Sequence, residues 1–342
     1  MIKIPKAVLL TLTAIIIISQ TGCAGKTKEP VVRQSFYFDT VCSIAVYDMA
    51  DMDEEKANAA IDEAFQLCSR YESLLSRTRE GTDIYRINNA QGSPVECDPE
   101  TVEVIRKGLY YSEMSGGVFD ITIGRVSDLW DFHAEEPEVP QEDELREACE
   151  TVGWEKVQIE GNTVTLTDPR THLDLGGIAK GFIADRVGEN LEENGVTSAI
   201  ISLGGNIACI GGKHGDGTET SFKIGIEKPY SEQSDIVGVV EAKDETVVTS
   251  GVYQRYFDAD GVRYHHILNA ATGYPAQTDL EGVTIKDAKG KSADCDALAT
   301  IYLIMGSEKA MELAVESGEE IFMILSDGSY ESTEAMGFSP EE

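Results

Sequence analysis

Positive charge is scarce in this sequence: 28 Lys plus Arg stand against 61 Asp plus Glu, a net charge of −33 over 342 residues. A surface with that field repels nucleic-acid phosphates and anionic headgroups, which argues against nucleic-acid binding and polybasic membrane docking. Proline is also sparse, at ten residues, and 42% of the chain is hydrophobic. That composition excludes a disordered or collagen-like chain and leaves room for a large buried core. No CxxC or Cys/His cluster with zinc spacing occurs, and six cysteines after residue 23 are too few for a disulfide-stapled scaffold. Cys42, Cys68, Cys97, Cys149, Cys209 and Cys295 are expected as free, mostly buried thiols, with pairing the alternative. Internal repeats, long linkers and a Walker A or GxGxxG spacing are all missing.

The longest apolar run, Ala7 to Ile18, is too short to span a bilayer. With Lys3 and Lys6 before it and Ser19-Gln20-Thr21-Gly22-Cys23 after it, it reads as a signal peptide over residues 1–22. The small residues before Cys23 resemble a bacterial lipobox, which makes Cys23 the expected lipidated first residue of the mature chain. Residues 23–34 then form a polar tether, 35–330 one catalytic unit and 331–342 an acidic tail. Lipid anchoring would hold the protein at the extracytoplasmic face of the cell membrane.

Periodicity predicts a strand over 36–48 and helices over 54–77, 101–114, 142–151, 178–194, 293–305 and 307–316. A hairpin over 156–167 turns at Gly161-Asn162, and another over 253–268 turns at Asp260-Gly261. Further strands are expected over 199–203, 222–227, 236–240, 246–249 and 321–325. This mixture predicts an α+β fold, with largely antiparallel sheets covered by helices.

Four stretches concentrate chemistry-bearing residues. Ser115-Gly116-Gly117-Val118-Phe119-Asp120 sets a stacking ring beside a carboxylate, followed by Leu129-Trp130-Asp131-Phe132. Asp174-Leu175-Gly176-Gly177-Ile178-Ala179-Lys180-Gly181 leads a glycine pair into a helix with an early lysine, a combination suited to an anion; an ordinary strand-to-helix turn is the alternative. His265 and His266 end a strand, so one faces the opposite side from the other. Asp296 and Thr300 share a helix face and can offer oxygens to a hard cation, although an acidic residue in a first turn also suits the helix dipole.

Together these stretches, with Leu203-Gly204-Gly205-Asn206-Ile207, Thr249-Ser250-Gly251 and Thr272-Gly273-Tyr274-Pro275, resemble the ApbE-type FAD:protein FMN transferases in order and over nearly the whole mature chain. The resemblance implies transfer of FMN from FAD to a Thr or Ser hydroxyl of an acceptor protein, with AMP leaving. It implies that Mg²⁺ is held by Asp296, Thr300 and the Ala179 carbonyl. Phe38, Thr78, Val118, Phe119, Asp120, Asp174, Lys180, His266 and Ile267 are the expected FAD contacts. His266 is the expected base, with Asp296 at the catalytic centre and Asp294 in a lesser, tuning role. Acceptors are expected among membrane electron-transfer complexes and extracytoplasmic flavoproteins. Departures from the family pattern are Phe38-Asp39-Thr40 for Met-Gly-Thr, Thr78 for a stacking Tyr, His265 for Ser and Asn269-Ala270 for Asp-Pro. Two other readings use the same residues: FAD hydrolysis to FMN and AMP, and non-catalytic flavin binding.

Overall fold

Where the sequence predicts one strand over 36–48, the backbone makes a hairpin, β1 (Val31–Tyr37) and β2 (Thr40–Met49). Its two-residue turn is Phe38-Asp39, with φ of 55° and 56° and Tyr37 paired to Thr40. Such a primed turn usually recruits Asn-Gly or Gly-Gly, so a phenylalanine there carries no turn signal. The computed structural model describes residues 29–341 apart from 51–52, 133, 216–217, 232 and 234. Cys23, the leader and the first part of the tether lie outside the described residues. Because β1 begins at Val31, the tether read through residue 34 yields its last four residues to the sheet.

The chain continues through α1 (Glu54–Leu75), α2 (Asp83–Asn88), β3 (Val95–Glu96), α3 (Pro99–Met114), α4 (Gly124–Trp130) and α5 (Glu142–Cys149). The hairpin β4 (Val157–Glu160) and β5 (Thr163–Leu166) leads to α6 (Ala179–Glu193), β6 (Val196–Leu203) and β7 (Asn206–Ile210). Then follow β8 (Lys213–Gly215), β9 (Thr218–Thr220), β10 (Phe222–Glu227), β11 (Ile236–Ala242) and β12 (Glu245–Gly251). The hairpin β13 (Tyr256–Ala259) and β14 (Val262–His265) precedes β15 (Leu280–Ala288), α7 (Ser292–Met305), α8 (Ser307–Ser317), β16 (Glu320–Leu325), β17 (Tyr330–Ser332) and β18 (Ser339–Pro340).

Eight strands form one antiparallel sheet in the order β1-β2-β6-β7-β12-β15-β16-β17, confirming the α+β expectation. One face is covered by helices. Asp53 starts α1 by accepting from the amides of Glu55 and Lys56, and Ile61, Ala64, Phe65, Cys68 and Tyr71 recur at helical spacing to bury one side of it. That side packs in the main core with α6, α7 and the sheet residues Ile44, Ile201 and Val283. The other face carries a second core of Ile200, Phe222, Ile224, Val240 and Phe322, closed by the small sheet β10-β11-β18. A third cluster gathers Trp130, Leu145 and Leu268 at the side.

The end of the chain is not a solvated tail. Met336 is fully buried, the Phe338 ring stacks on Phe322 at 4.1 Å between centroids, and β18 pairs with β11. Acidic composition hid this, because over residues 331–341 only Thr333, Met336 and Phe338 are not exposed. All six described cysteines are free.

Candidate active site

Two tight turns lie side by side at one end of the large sheet. Gly204-Gly205 joins β6 to β7 with φ of 55° and 92°, and a Cβ on Gly204 would stand 2.6 Å from the Thr40 side chain. The turn favours glycine, and the contact with the β1–β2 hairpin leaves room for nothing larger. The Thr249 amide donates to the Gly205 carbonyl at 3.0 Å, which brings the end of β12 to the same edge. Asn206, Ser250 and Phe38 are thus gathered by the sheet register.

Helices α6 and α7 close this edge from the helical side. A Cβ on Gly181 would lie 2.2 Å from the Ser292 carbonyl oxygen, so the two helices touch backbone to backbone only because residue 181 has no side chain. The contact lets the Gly181 amide donate to Asp296 Oδ2 at 3.0 Å. Asp296, 2% exposed, accepts at Oδ1 from Asn206 Nδ2 at 3.3 Å and faces Lys180 Nζ at 3.5 Å. One turn on, the Thr300 hydroxyl donates to the Asp296 carbonyl at 3.3 Å and lies 3.4 Å from Ser250 Oγ. Ala179 is the first residue of α6, two before the amide that holds Asp296. Asp294 faces elsewhere: it accepts from Tyr111 Oη at 2.7 Å and pairs with Lys107 and Lys291, tying α7 to α3. Its tuning role is not supported by contact with the site.

Lys180 also donates to the Gly176 carbonyl at 3.2 Å, so its ammonium spans the glycine turn and Asp296. Asp174 accepts from the Gly176 amide at 2.9 Å and pairs with Arg77 Nε at 3.3 Å. Arg77 pairs as well with Asp128, whose other oxygen lies 2.8 Å from His172 Nδ1. Burial works against the Asp128 charge, but its bonds to His172 and Arg77 hold the carboxyl below its usual range. Arg77 anchors the loop that carries the exposed Thr78. Glu72 joins this loop to the Phe38 turn, accepting from the Phe38 amide at 3.0 Å and pairing with Arg79 at 3.5 Å. Phe38, Thr78, Asp174 and Lys180 are therefore linked by one chain of contacts.

Asp120 is buried and its carboxylate is engaged within its own loop. Oδ1 accepts from the Thr122 amide at 2.9 Å and from its hydroxyl at 2.6 Å, and Oδ2 accepts from the Trp154 amide at 3.1 Å. Burial raises its pKa despite those three bonds. Phe119 packs against Gly177, where a Cβ would come within 2.8 Å of its ring, so the first two motifs support each other. The Trp130 indole donates to the Gly273 carbonyl at 2.7 Å amid Phe132, Phe257, Tyr264 and Tyr274. Leu129-Trp130 and Thr272-Gly273-Tyr274 thus meet as scaffold.

That scaffold carries the histidines. The His266 amide and Nδ1 both donate to the Arg255 carbonyl, at 3.1 and 3.2 Å. A carbonyl can only accept, so the proton sits on Nδ1 and Nε2 keeps its lone pair. Burial first, then the Arg255 and Lys180 charges, lowers the His266 pKa to about 3, and burial lowers that of His265 to about 4. His266 is therefore a neutral imidazole near Lys180. Ile267 is buried, its carbonyl accepting from the Ala276 amide at 2.9 Å.

Sequence reasoning assigned no role to two residues. Arg77 sits in Ser76-Arg77-Thr78-Arg79, a local excess of base in an acid-rich chain that could have flagged it. Asn206, 1% exposed, has an amide oxygen with no partner, an arrangement that costs about 1–3 kcal/mol unless a ligand completes it. Among the described residues no three His, Cys, Asp or Glu side chains gather as a metal cluster. The donors present are oxygens instead: the Asp296 carboxylate, the Thr300 hydroxyl and the orphaned Asn206 oxygen. That set fits a hard divalent cation.

The fold defines the class first. The structure superposes on the ApbE protein of Thermotoga maritima with a TM-score of 0.81 at 29% identity, covering 90% of this chain and 98% of that one. Flavin transferase ApbE from Vibrio cholerae matches with a TM-score of 0.77 at 28% identity, over 89% and 96% of the two chains. A Treponema pallidum (strain Nichols) protein named FAD:protein FMN transferase is 35% identical over 309 residues, 86% of this chain and 84% of its own length. The ApbE family model matches residues 38–325, and the chain belongs to that family.

Proposed function

We propose that this protein transfers the FMN half of FAD to a threonine or serine hydroxyl of an acceptor protein and releases AMP. At the coarser level it is a FAD:protein FMN transferase, the name carried by relatives 32–35% identical over most of the chain. The finer reading rests on one observation: the Arg255 carbonyl fixes the proton on Nδ1 of a neutral His266. The acceptor oxygen attacks the FMN phosphorus, the bond to the bridging oxygen breaks, and AMP departs with that oxygen. His266 Nε2 takes the hydroxyl proton. Lys180 offers an ammonium to the phosphates, whose charge the acidic protein would otherwise repel.

Mg²⁺ would be held by Asp296, Thr300 and the Ala179 carbonyl, and when bound it screens the pyrophosphate charge. The Gly181 amide keeps Asp296 in place for that role. Phe38, Thr78, Asp174 and the backbone of Val118-Phe119-Asp120 are assigned to FAD, with Ile267 beside the base. Cys23 would carry the lipid anchor, placing the enzyme on the extracytoplasmic membrane face beside acceptor redox proteins. Among the described residues no helix is long and apolar enough to cross a membrane.

Incubating the protein with FAD, Mg²⁺ and a flavin-accepting redox domain tests the reading. Acceptor-bound FMN with stoichiometric AMP supports transfer. Free FMN would indicate hydrolysis and unchanged FAD simple binding, and either result as the sole product overturns the proposal.

A further inference from the structure

Asn206 opens β7 directly after the Gly204-Gly205 turn, paired with Leu203 across that turn and with Val248 of β12 on its other side. Its backbone is thus held by two strands, and its side chain is almost wholly enclosed. Nδ2 donates to Asp296 Oδ1 at 3.3 Å, while Oδ1 meets no donor. Turning the amide over would not help, because Oδ1 would then face the Asp296 carboxylate oxygen, acceptor against acceptor. The carboxylate therefore decides the orientation, and the orphaned oxygen calls for a donor or a cation from outside the protein. The next oxygens on α7, the Asp296 carboxylate and the Thr300 hydroxyl, are hard donors, and a hard cation favours an amide oxygen as a further ligand.

Resting on the metal reading above, we infer that Asn206 is a direct ligand of the bound divalent cation. Nδ2 orients Asp296, and Oδ1 joins Asp296 and Thr300 as a neutral oxygen donor. The side chain then has all its polar atoms satisfied only in the metal-loaded protein. This also explains why a buried asparagine sits at a position whose neighbours across the sheet, Leu203 and Val248, are apolar.

The test titrates Mg²⁺ into the purified chain, alone and with AMP, by calorimetry and by thermal melting. Asn206→Leu removes both amide contacts at similar volume. Its Mg²⁺ dissociation constant should rise at least tenfold while its metal-free Tm changes little, since losing the hydrogen bond to Asp296 is offset by removal of the unsatisfied amide oxygen. Asn206→Asp puts a second carboxylate against Asp296, so its metal-free Tm should fall and its Mg²⁺-induced rise in Tm should exceed that of the wild type. A purely structural asparagine predicts the reverse for Asn206→Leu: a lower metal-free Tm with unchanged Mg²⁺ affinity. That result overturns the proposal, and Asn206→Asp decides it if Asn206→Leu does not fold. Wild-type protein that binds no Mg²⁺ under either condition would overturn the metal reading itself, a failure distinguishable from wild-type binding that neither substitution disturbs.

Discussion

The junction of α6 with α7 and the pocket around Trp130 are both built from glycine-bearing motifs, but they differ in what their polar atoms do. Around Trp130 the indole N–H is matched inside the protein by the Gly273 carbonyl, and its neighbours are the rings of Phe132, Phe257, Tyr264 and Tyr274. At the helix junction the Asn206 oxygen is left without a donor, Lys180 sits 3.5 Å from a carboxylate, and His266 nearby keeps a lone pair on Nε2. A matched region can only hold shape. An incomplete valence beside a buried carboxylate and an ammonium marks a region that a substrate or ion can complete. The two depend on each other, because the pocket carries the β13–β14 hairpin, and His266 follows directly on the last strand residue, His265.

The largest expected effect breaks the chemical side of this contrast. His266→Asn should lower the transfer rate by about 10² to 10⁴ while leaving FAD affinity nearly unchanged, measured by acceptor flavinylation and by equilibrium titration of FAD. Undiminished turnover would remove His266 from the role of base. Next in size, Trp130→Ala should cost about 3–5 kcal/mol of stability in denaturant unfolding, because it empties a buried aromatic site and orphans the Gly273 carbonyl. Mg²⁺ affinity of the folded fraction should not change. A Trp130→Ala protein of normal stability with impaired metal binding would reverse the assignment of scaffold and centre.

The smallest effect concerns pH. Folding lowers the pKa of His265 to about 4 and of His266 to about 3 from the usual 6.5, so the unfolded chain binds protons that the folded one refuses. Their contribution to stability is therefore present above about pH 6.5 and is lost as the pH falls toward the folded values, at no more than about 1.4 kcal/mol per pH unit for each proton. Melting temperature followed from pH 8 to 5 should drop less steeply for His266→Asn than for the wild type. Equal slopes would mean that the imidazole is solvated rather than enclosed.

Much of the fold was legible locally. The helix over 54–77 follows from apolar spacing, and the hairpins from Gly161-Asn162 and Asp260-Gly261, since each signal lies within a few residues of its effect. The β1–β2 turn was not legible, because Phe38 and Asp39 adopt positive φ under the hold of neighbouring strands and of Glu72 rather than by preference. β15 was missed for a similar reason. No strand is expected over 280–288, where Gly282, Lys286 and Asp287 interrupt the apolar pattern, yet the strand lies between β12 and β16 with Val283 and Ile285 buried. The acidic C-terminal stretch likewise gave no sign that Met336 and Phe338 close the second core.

For the site, the sequence by itself determined the chemical inventory: an early helix lysine, a carboxylate and hydroxyl four residues apart, and a histidine at a strand end. These are properties of residue type and short spacing, which sequence carries directly. Only the tertiary structure decided that Asp120 serves its own loop, that Asp294 faces α3, and that Asn206, 90 residues from Asp296 in the chain, shares its carboxylate. The physical reason is that hydrogen bonding is settled by which donors and acceptors burial brings within about 3 Å, and burial depends on packing between distant elements rather than on neighbours in sequence.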